Sequence, residues 1–550
     1  MVANRGVSCC KKLLASGRNW AGRRGGVLLI MLVVGGCSSP ASGPEVAANQ
    51  PLFSLDSIQV RVAANAAYAQ RGWWWQRLWG RHYRSLWATP VTVPVLRLRA
   101  AGLVPERLGG SFQTQALRVR TPDGRQFVLR SVDKNLGRTL HGQWFDSLLA
   151  PVLRDQTCAA PPYGAYVAAE LARTAGVYHT NPRLYYLQPD AALGAFRTQV
   201  RPGLFLLEER PEGDQTHAAS FGGARRVVGS GAMLSEVLAG TTARPDARAY
   251  LRARLLDQLV GDWSRRADQW RWAAFADSAG RTTFRPIPRD RDQAFFRFDD
   301  GWLTRAISWV RPRYQTFNPC LVPADVRPLT TTARALDHTI LALLPEALFA
   351  AEADSLVRRL PDAALRRALA AAPAAARACL LTELLPALRA RRAALPAVAR
   401  RYYQVLQQEP VLLGTDAAER FELLAQKPGC VQVRIWARRP LRPDSLLGEH
   451  TYDVRRTTRL TIYALGGNDV FDLRGALAPG FGVHLHGGAG RNQFLQQNLL
   501  QSLGPGLTAY TTPADLVQLN SSVRVQPGAA DAATPAWLAA YYRLGLARMP

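Results

Sequence analysis

Lysine is nearly missing from this chain. Of 69 basic residues only Lys11, Lys12, Lys134 and Lys427 are lysine, and the rest are arginine. That skew, beside abundant Ala, Gly, Pro and Leu, is what a GC-rich coding sequence yields. The arginines run along the whole chain and do not gather in one patch, and no nucleic-acid-binding motif accompanies them, so the formal charge of +28 reads as a solvated basic surface. Cysteine is sparse: seven residues, of which Cys158, Cys320, Cys379 and Cys430 follow the N-terminal region at wide spacing. No CxxC or Cys/His spacing occurs, which excludes a zinc ribbon or finger; disulfides in an oxidising compartment and buried thiols both stay open. Of the eight histidines, His141, His179, His217 and His338 lack a Ser or Cys partner at a recognisable spacing. His484 and His486 share one face of a strand but are only two ligands, short of a zinc site. No GxSxG and no P-loop is present. Long apolar runs are also missing, which excludes a membrane-spanning helix of about 20 residues.

The N-terminus has the composition of a targeting segment. Arg5, Lys11, Lys12, Arg18, Arg23 and Arg24 precede the short apolar run Val27–Val34, then Gly35-Gly36-Cys37-Ser38-Ser39. A run of that length suits a signal-peptide core. Small residues directly before a cysteine resemble a bacterial lipobox, which implies cleavage before Cys37 and lipids on its side chain. Ser at 38 in place of Asp resembles the sorting signal for the outer membrane. Lipid chains would supply the anchor.

Residues 37–90 read as a Ser/Pro/Ala/Gly tether followed by a Trp/Arg-rich element. Trp73, Trp74, Trp75, Trp79 and Trp87 either lie at a membrane interface or clasp the main domain, the second being favoured because a strand-like run follows at once. From Ala116 the pattern is β, with Pro122-Asp123-Gly124 as a turn between two alternating strands. Helical patterns follow at 163–175, ending at Gly176, and at 242–261. Residues 319–410 are Ala/Leu/Arg-rich and helical, with breaks expected at Pro361, Pro373, Pro386 and Pro396. Residues 411–505 turn β again. The pairs Gly466-Gly467 and Gly487-Gly488 each follow an alternating strand and look like two rungs of a β-repeat, with the distance between the pairs as its period. The Gly-Gly-Asn468-Asp469 turn resembles those of calcium-binding β-rolls, which makes Asp469 a weak calcium candidate beside the plainer reading of turn glycines. Residues 506–550 are Pro/Ala-rich and expected as a tail.

Carboxylates, amides and arginines concentrate in two blocks: Gly261-Asp262-Trp263-Ser264-Arg265-Arg266-Ala267-Asp268-Gln269-Trp270 and Pro288-Arg289-Asp290-Arg291-Asp292-Gln293-Ala294-Phe295. Phosphoryl transfer needs a cation at the nucleotide phosphates, a carboxylate to orient the acceptor hydroxyl, and an amide with a second carboxylate on divalent metal. The chain offers candidates in that order: Arg130 or Lys134 on a strand, Glu170 on a helix to pair with that cation, LFLLEERP as a hinge between lobes, then the two blocks. The alternative is a buried ion-pair network of Arg289, Asp290, Arg291 and Asp292 tying two loops together, with Trp263, Trp270 and Trp272 as core.

These motifs resemble the CotH-type atypical protein kinases and, more distantly, the HipA-type kinases, whose blocks run GNWDxHxxNxxLY and PWDxDxxF. Over roughly residues 70–500 the chain looks closer still to a group of envelope lipoproteins from Bacteroidetes-type bacteria, in which the blocks read GDWDRHEDQWRW and PIPRDRDQAF. Longer members continue into an outer-membrane barrel. The resemblance implies Asp290 and Asp292 on Mg²⁺ or Mn²⁺ with ATP, Gln269 where the metal-binding Asn stands, and Arg130 near the phosphate-binding Lys. It also exposes departures. The catalytic Asp falls on Ser264, which cannot serve as a carboxylate base, and the family His falls on Arg266. Asp262 and Asp268 are the substitute carboxylates, displaced by several ångströms, and a misplacement near 1 Å already costs about a hundredfold.

The expected fold is α+β: a two-lobed, atypical protein-kinase-like region at 91–318, a helical segment at 319–410 and a small β domain at 411–505, after a signal peptide at 1–36 and the tether and clasp at 37–90. The expected function is a lipid-anchored envelope protein, outer membrane rather than inner, with a degenerate kinase-like site used as scaffold or as a nucleotide- or metal-binding module. An active metal- and ATP-dependent kinase and a purely structural lipoprotein are the alternatives. Expected partners are the membrane through the anchor and an outer-membrane barrel or other envelope protein, with no nucleic acid.

Overall fold

The computed structural model describes residues 58–109, 115–134, 144–427, 429–439, 441–504 and 506–528. Cys37 and the expected signal segment lie outside the described residues.

Among the described residues, eleven strands build two sheets before residue 289. They are β1 (Gln59–Val62), β2 (Val91–Leu96), β3 (Val104–Gly109), β4 (Ala116–Arg120), β5 (Gln126–Ser131), β6 (Arg183–Leu187), β7 (Gly203–Glu209), β8 (Arg226–Gly229), β9 (Ala243–Pro245), β10 (Trp270–Ala276) and β11 (Thr282–Pro288). The first seven form one sheet in the order β1-β2-β6-β7-β5-β4-β3, and the other four a second in the order β8-β10-β11-β9. The β4–β5 hairpin turns at Pro122-Asp123-Gly124 as its residues dictate: the Gly124 N–H closes on the Thr121 carbonyl at 2.9 Å, with Gly124 at φ +86°. Alternation on β5 puts Leu129 into an apolar cluster with Leu117, Val119 and Phe205, and turns Arg130 to the other face, toward the second sheet.

The helix Gly164–Ala175 buries Val167, Ala168, Leu171, Ala172 and Ala175 and stops at left-handed Gly176. Ala247–Val260 starts at Asp246, whose Oδ1 accepts the Ala249 N–H at 3.0 Å, and ends at left-handed Gly261. It is buried on nearly every side, Arg254 and Asp257 included. Their charges are matched internally: Arg254 lies 2.9 Å from Asp337 and 3.1 Å from Asp257.

Two expectations for 319–410 change. Pro361 and Pro373 do separate helices, but Pro386 and Pro396 sit inside one 35-residue helix, Ala374–Gln408. The helix survives its two missing N–H donors because it is packed along its length, with Leu380, Leu384, Leu388, Leu395, Val398 and Tyr402 buried. Nor is the segment separate from what precedes it. One core cluster runs from Tyr68 through Leu171, Leu256 and Trp270 to Leu406. Arg391 crosses into the preceding domain and donates from Nε to the Leu259 carbonyl at 2.8 Å and from Nη2 to that of Gln258 at 2.7 Å, satisfying carbonyls at a helix C-terminus.

The C-terminal part is a two-sheet solenoid. Its strands are β12 (Val411–Leu413), β13 (Glu419–Lys427), β14 (Cys430–Ala437), β15 (Ser445–Asp453), β16 (Arg459–Tyr463), β17 (Val470–Gly475), β18 (Gly482–His486), β19 (Gln493–Gln496), β20 (Leu507–Thr511), β21 (Leu516–Gln518) and β22 (Arg524–Pro527). One sheet, β12-β16-β18-β20-β22, is parallel throughout; in the other, β13, β17, β19 and β21 run parallel while β14 and β15 fold back antiparallel. The period is longer than the distance between the two glycine pairs, because the pairs are not equivalent positions. Val470 stands beside Gln493, and Gln493 beside Leu516. Gly467 is level with Gly490, where any Cβ would meet the Gly467 carbonyl oxygen at 1.7 Å, and Gly488 lies against Leu465. Stacked Phe421, Phe471 and Phe494 fill the interior at 5.1 and 4.7 Å between ring centres. Residues 506–528, expected as tail, instead supply β20, β21 and β22, because the parallel ladder offers them a ready edge.

The Trp-rich element divides. Trp87 is buried with its indole N–H on the Ala160 carbonyl at 2.9 Å, and Trp75 donates to Asp155 at 2.7 Å, so these clasp the domain. Trp73 and Trp74 face outward.

Candidate functional site

Arg130 leaves β5 on the face that meets the second sheet, and Asp290 follows β11 directly. The two charges are 2.9 Å apart. Asp290 adopts φ +56°, a left-handed conformation uncommon for a non-glycine residue, and this turns its carboxylate back toward the first sheet. Two residues on, Asp292 is paired with Lys134 from the end of the same first-sheet segment. The two carboxyl groups are themselves within hydrogen-bonding reach. Burial raises Asp290, but Arg130 overrides it and holds this carboxyl well below the ordinary range; burial and the neighbouring Asp290 push Asp292 upward. Glu208 on β7 faces the same group and burial pushes it up to about 7, against the pull of Arg130.

Asp262 is sealed. Its Oδ2 lies 2.5 Å from Arg265 Nη2 and its Oδ1 accepts the Ser264 N–H at 3.1 Å. Burial pushes its carboxyl up to about 6 while Arg265 pulls it down. The buried Arg265 guanidinium also reaches Asp257 at 3.3 Å and the Arg289 carbonyl, and Arg291 meets the other oxygen of Asp257 at 3.2 Å. The two sequence blocks are thus joined by a buried network centred on Asp257. Asp268 lies outside it, in an exposed two-bond pair with Arg266 at 3.0 Å. Gln269 is buried, with Oε1 accepting the Arg266 N–H at 3.2 Å and its carbonyl accepting the Arg289 N–H at 2.9 Å.

Of the residues singled out from sequence, Arg130, Asp290 and Asp292 come together with Lys134. Gln269 is tied to the Asp290 loop through backbone, with its amide oxygen directed to Arg266. Asp262 is on the network's far branch and Asp268 at the surface. Glu170 does not pair with Arg130; it binds Arg173 at 2.6 Å and Arg367 at 3.1 Å, because its helix presents it to the Asp362–Ala370 helix. Glu208, Asp257 and Arg265 were not singled out. Asp257 carried a signal, a lone acid among Leu255, Leu256 and Leu259 in a helix with apolar neighbours all round.

The cavity beside Arg130, Lys134 and Asp292 measures about 80 Å³ and is also lined by Thr157, Pro161 and Phe296. Ligand pockets run to roughly 300–1,000 Å³. A larger cavity of about 730 Å³ opens on the opposite face of the seven-stranded sheet, against Phe127, Tyr185 and Leu207, away from these charges. Mg²⁺ or Mn²⁺ does not fit the donor set as it stands: both carboxylates are already held by the chain's own cations, and the Gln269 oxygen is engaged elsewhere. Among the described residues no three His, Cys, Asp or Glu side chains converge as a metal site.

Asp469 acts within the solenoid ladder. The Glu419 N–H donates to its Oδ1 at 2.7 Å, its own N–H donates to Asn492 Oδ1 at 3.1 Å, and the Asn492 N–H donates to Asp515 Oδ1 at 2.8 Å.

No protein-family model and no curated protein matches the chain. Among solved structures it is similar to the Helicobacter pylori proinflammatory kinase CtkA, with a TM-score of 0.30 and 9% identity over 55% of this chain and 96% of that one. It is also similar to the Rio2 kinase from Chaetomium thermophilum, with a TM-score of 0.20 and 14% identity over 39% of this chain and 58% of that one. The ADP/Mg²⁺-phosphoaspartate complex of the same Rio2 kinase matches at a TM-score of 0.20 over 50% and 74%. At these values no residue role passes from those proteins to this one.

Proposed function

We propose that this chain is a lipid-anchored cell-envelope protein whose kinase-like site is degenerate and serves as a scaffold, without phosphoryl transfer. One observation carries the reading: every carboxylate that the transfer would require is engaged by a cation of the chain itself. Asp290 is held by Arg130, Asp292 by Lys134, and Asp262 by Arg265. Ser264 stands where the motif resemblance places the acceptor-orienting carboxylate, and a hydroxyl cannot take over that charge. The small cavity supports the same reading. Anchoring at Cys37 rests on the basic segment, the apolar core and the small residues before it; the outer membrane is the proposed destination.

The test is paired. Wild type and Asp290→Asn are incubated with ATP and Mg²⁺ or Mn²⁺, and phosphate transfer to the chain itself and to a general acceptor protein is measured beside a thermal shift. Equal, background transfer by both proteins is expected. Transfer by wild type that Asp290→Asn abolishes would establish the active-kinase alternative.

A further inference from the structure

Two short helices far apart in sequence, Trp73–Trp79 and Trp302–Val310, pack side by side at the surface. Their contact is fixed through backbone. A Cβ on Gly301 would lie 2.4 Å from the Gly80 nitrogen and 2.7 Å from the Leu78 oxygen, so only glycine lets the end of one helix meet the start of the other. Asp300 reinforces the junction by accepting the His82 N–H at 2.5 Å and facing His82 Nδ1 at 2.8 Å.

The outward faces are alike. Trp302, Arg305, Ala306, Trp309 and Val310 are exposed at the spacing of one helical face, while Leu303 and Ile307 turn inward. On the other helix Trp73, Trp74 and Arg77 are exposed. Trp74 and Trp309 keep 67% and 77% of their area in solvent. Arg77 sits between the two sets, 5.1 Å from the Trp73 ring centre and 5.8 Å from that of Trp302. Four exposed tryptophans on this two-helix surface are not needed for the core, since Trp75 and Trp87 already supply the clasp.

Apart from Asp299 and Asp300, the latter turned onto His82 at the junction, the charge around them is basic. Residues 71–88 and 301–322 contain Arg71, Arg77, Arg81, Arg84, Arg305, Arg311 and Arg313 and no Asp or Glu. Arg71 and Arg84 are turned inward onto Asp155, leaving Arg77, Arg81, Arg305, Arg311 and Arg313 exposed. Indole rings settle at the headgroup level of a bilayer, and arginines beside them attract anionic headgroups.

We propose that this two-helix face docks on a phospholipid surface carrying anionic headgroups, the tryptophans entering the interface and the arginines meeting phosphate. The proposal does not depend on Cys37.

The test uses the full chain carrying Cys37→Ser, so that no lipid contributes. It is sedimented with vesicles of phosphatidylcholine alone, and of phosphatidylcholine with about a third phosphatidylglycerol. Binding to the anionic vesicles is expected, with a blue shift of tryptophan emission and loss at high salt. Trp302→Ser/Trp309→Ser, whose side chains are mostly in solvent, is expected to keep its melting temperature and to lower the bound fraction by about tenfold. Arg305→Glu/Arg311→Glu is expected to remove the preference for anionic vesicles, and it decides the matter should the tryptophan variant misfold. Equal binding to both vesicle types, or undiminished binding by the altered proteins, overturns the proposal. The phosphate-transfer assay is indifferent to this face, so either proposal can fail alone.

Discussion

The Arg130 guanidinium and the Asp290 carboxylate, distant in sequence, lie 2.9 Å apart across the junction of the two sheets. The pair neutralises the carboxylate on which metal-dependent chemistry would have to rest. It also gives a measurable coupling. Arg130→Met, Asp290→Asn and the combined variant should show an interaction of about 1–3 kcal/mol in urea unfolding, the combined loss being smaller than the sum. Because the folded Asp290 is held below the ordinary carboxylate range, its contribution is complete above the unfolded value near 4 and is lost only as pH falls through the lower folded value. The coupling at pH 5 should therefore equal that at pH 7. A coupling that vanishes by pH 5 would show that the pair is not formed in solution.

Ser264→Asp places a carboxylate at the position that the motif resemblance assigns to one, but should not produce transfer. Residue 264 is buried and its N–H already binds Asp262. A second acid there is repelled by the first and desolvated, so its folded value rises, and the penalty appears above the ordinary value near 4. Stability should drop by about 2 kcal/mol at pH 8 and by less at pH 5, with phosphate transfer still at background. Gain of transfer by this single change would contradict the degenerate reading.

Asp469→Asn should stabilise the solenoid in alkaline solution. Burial, with Glu419 nearby, pushes Asp469 up to about 8, and burial pushes Glu419 up to about 7. Between the unfolded values near 4 and these raised values the folded chain binds more protons than the unfolded one, so stability falls as pH climbs through that window. Asp469 Oδ2 is buried without a hydrogen-bond partner, and asparagine already occupies the equivalent place one rung on, at Asn492. The change should gain about 1–3 kcal/mol at pH 8 and little at pH 4. Calorimetric melts across that range measure it, and a loss of stability at pH 8 would refute the ladder role.

Asp337→Asn should be among the costliest single changes in the helical region. Asp337 accepts the Tyr250 hydroxyl at 2.8 Å and two bonds from Arg254 at 2.9 and 3.2 Å, all fully buried. Removing its charge leaves the buried Arg254 guanidinium to Asp257 alone, a carboxylate that Arg265 and Arg291 already share, at a cost of about 3–5 kcal/mol. Urea unfolding with an unchanged slope is the check; a loss under about 1 kcal/mol would mean that water reaches Arg254.

The sequence alone determined the local pieces. Alternation and Pro122-Asp123-Gly124 specify a hairpin, the helical pattern read at 242–261 ends at Gly261 (its start falls at Asp246, because residues 243–245 pair as β9), and the density of charge in the 260s and 290s marks where two loops meet, because strand pitch, capping and turn geometry depend on near neighbours. Tertiary structure decided the rest. Periodicity could not say that Glu170 would face Arg367 instead of Arg130, or that Pro386 and Pro396 would be carried inside a helix by packing. It could not say that Gly467 would stack on Gly490 and so lengthen the rung. Nor could it say that an outward Trp302 would join Trp73 from the far end of the same domain. Each depends on which buried surface reaches which partner, and desolvation with charge pairing, acting through space, makes that selection.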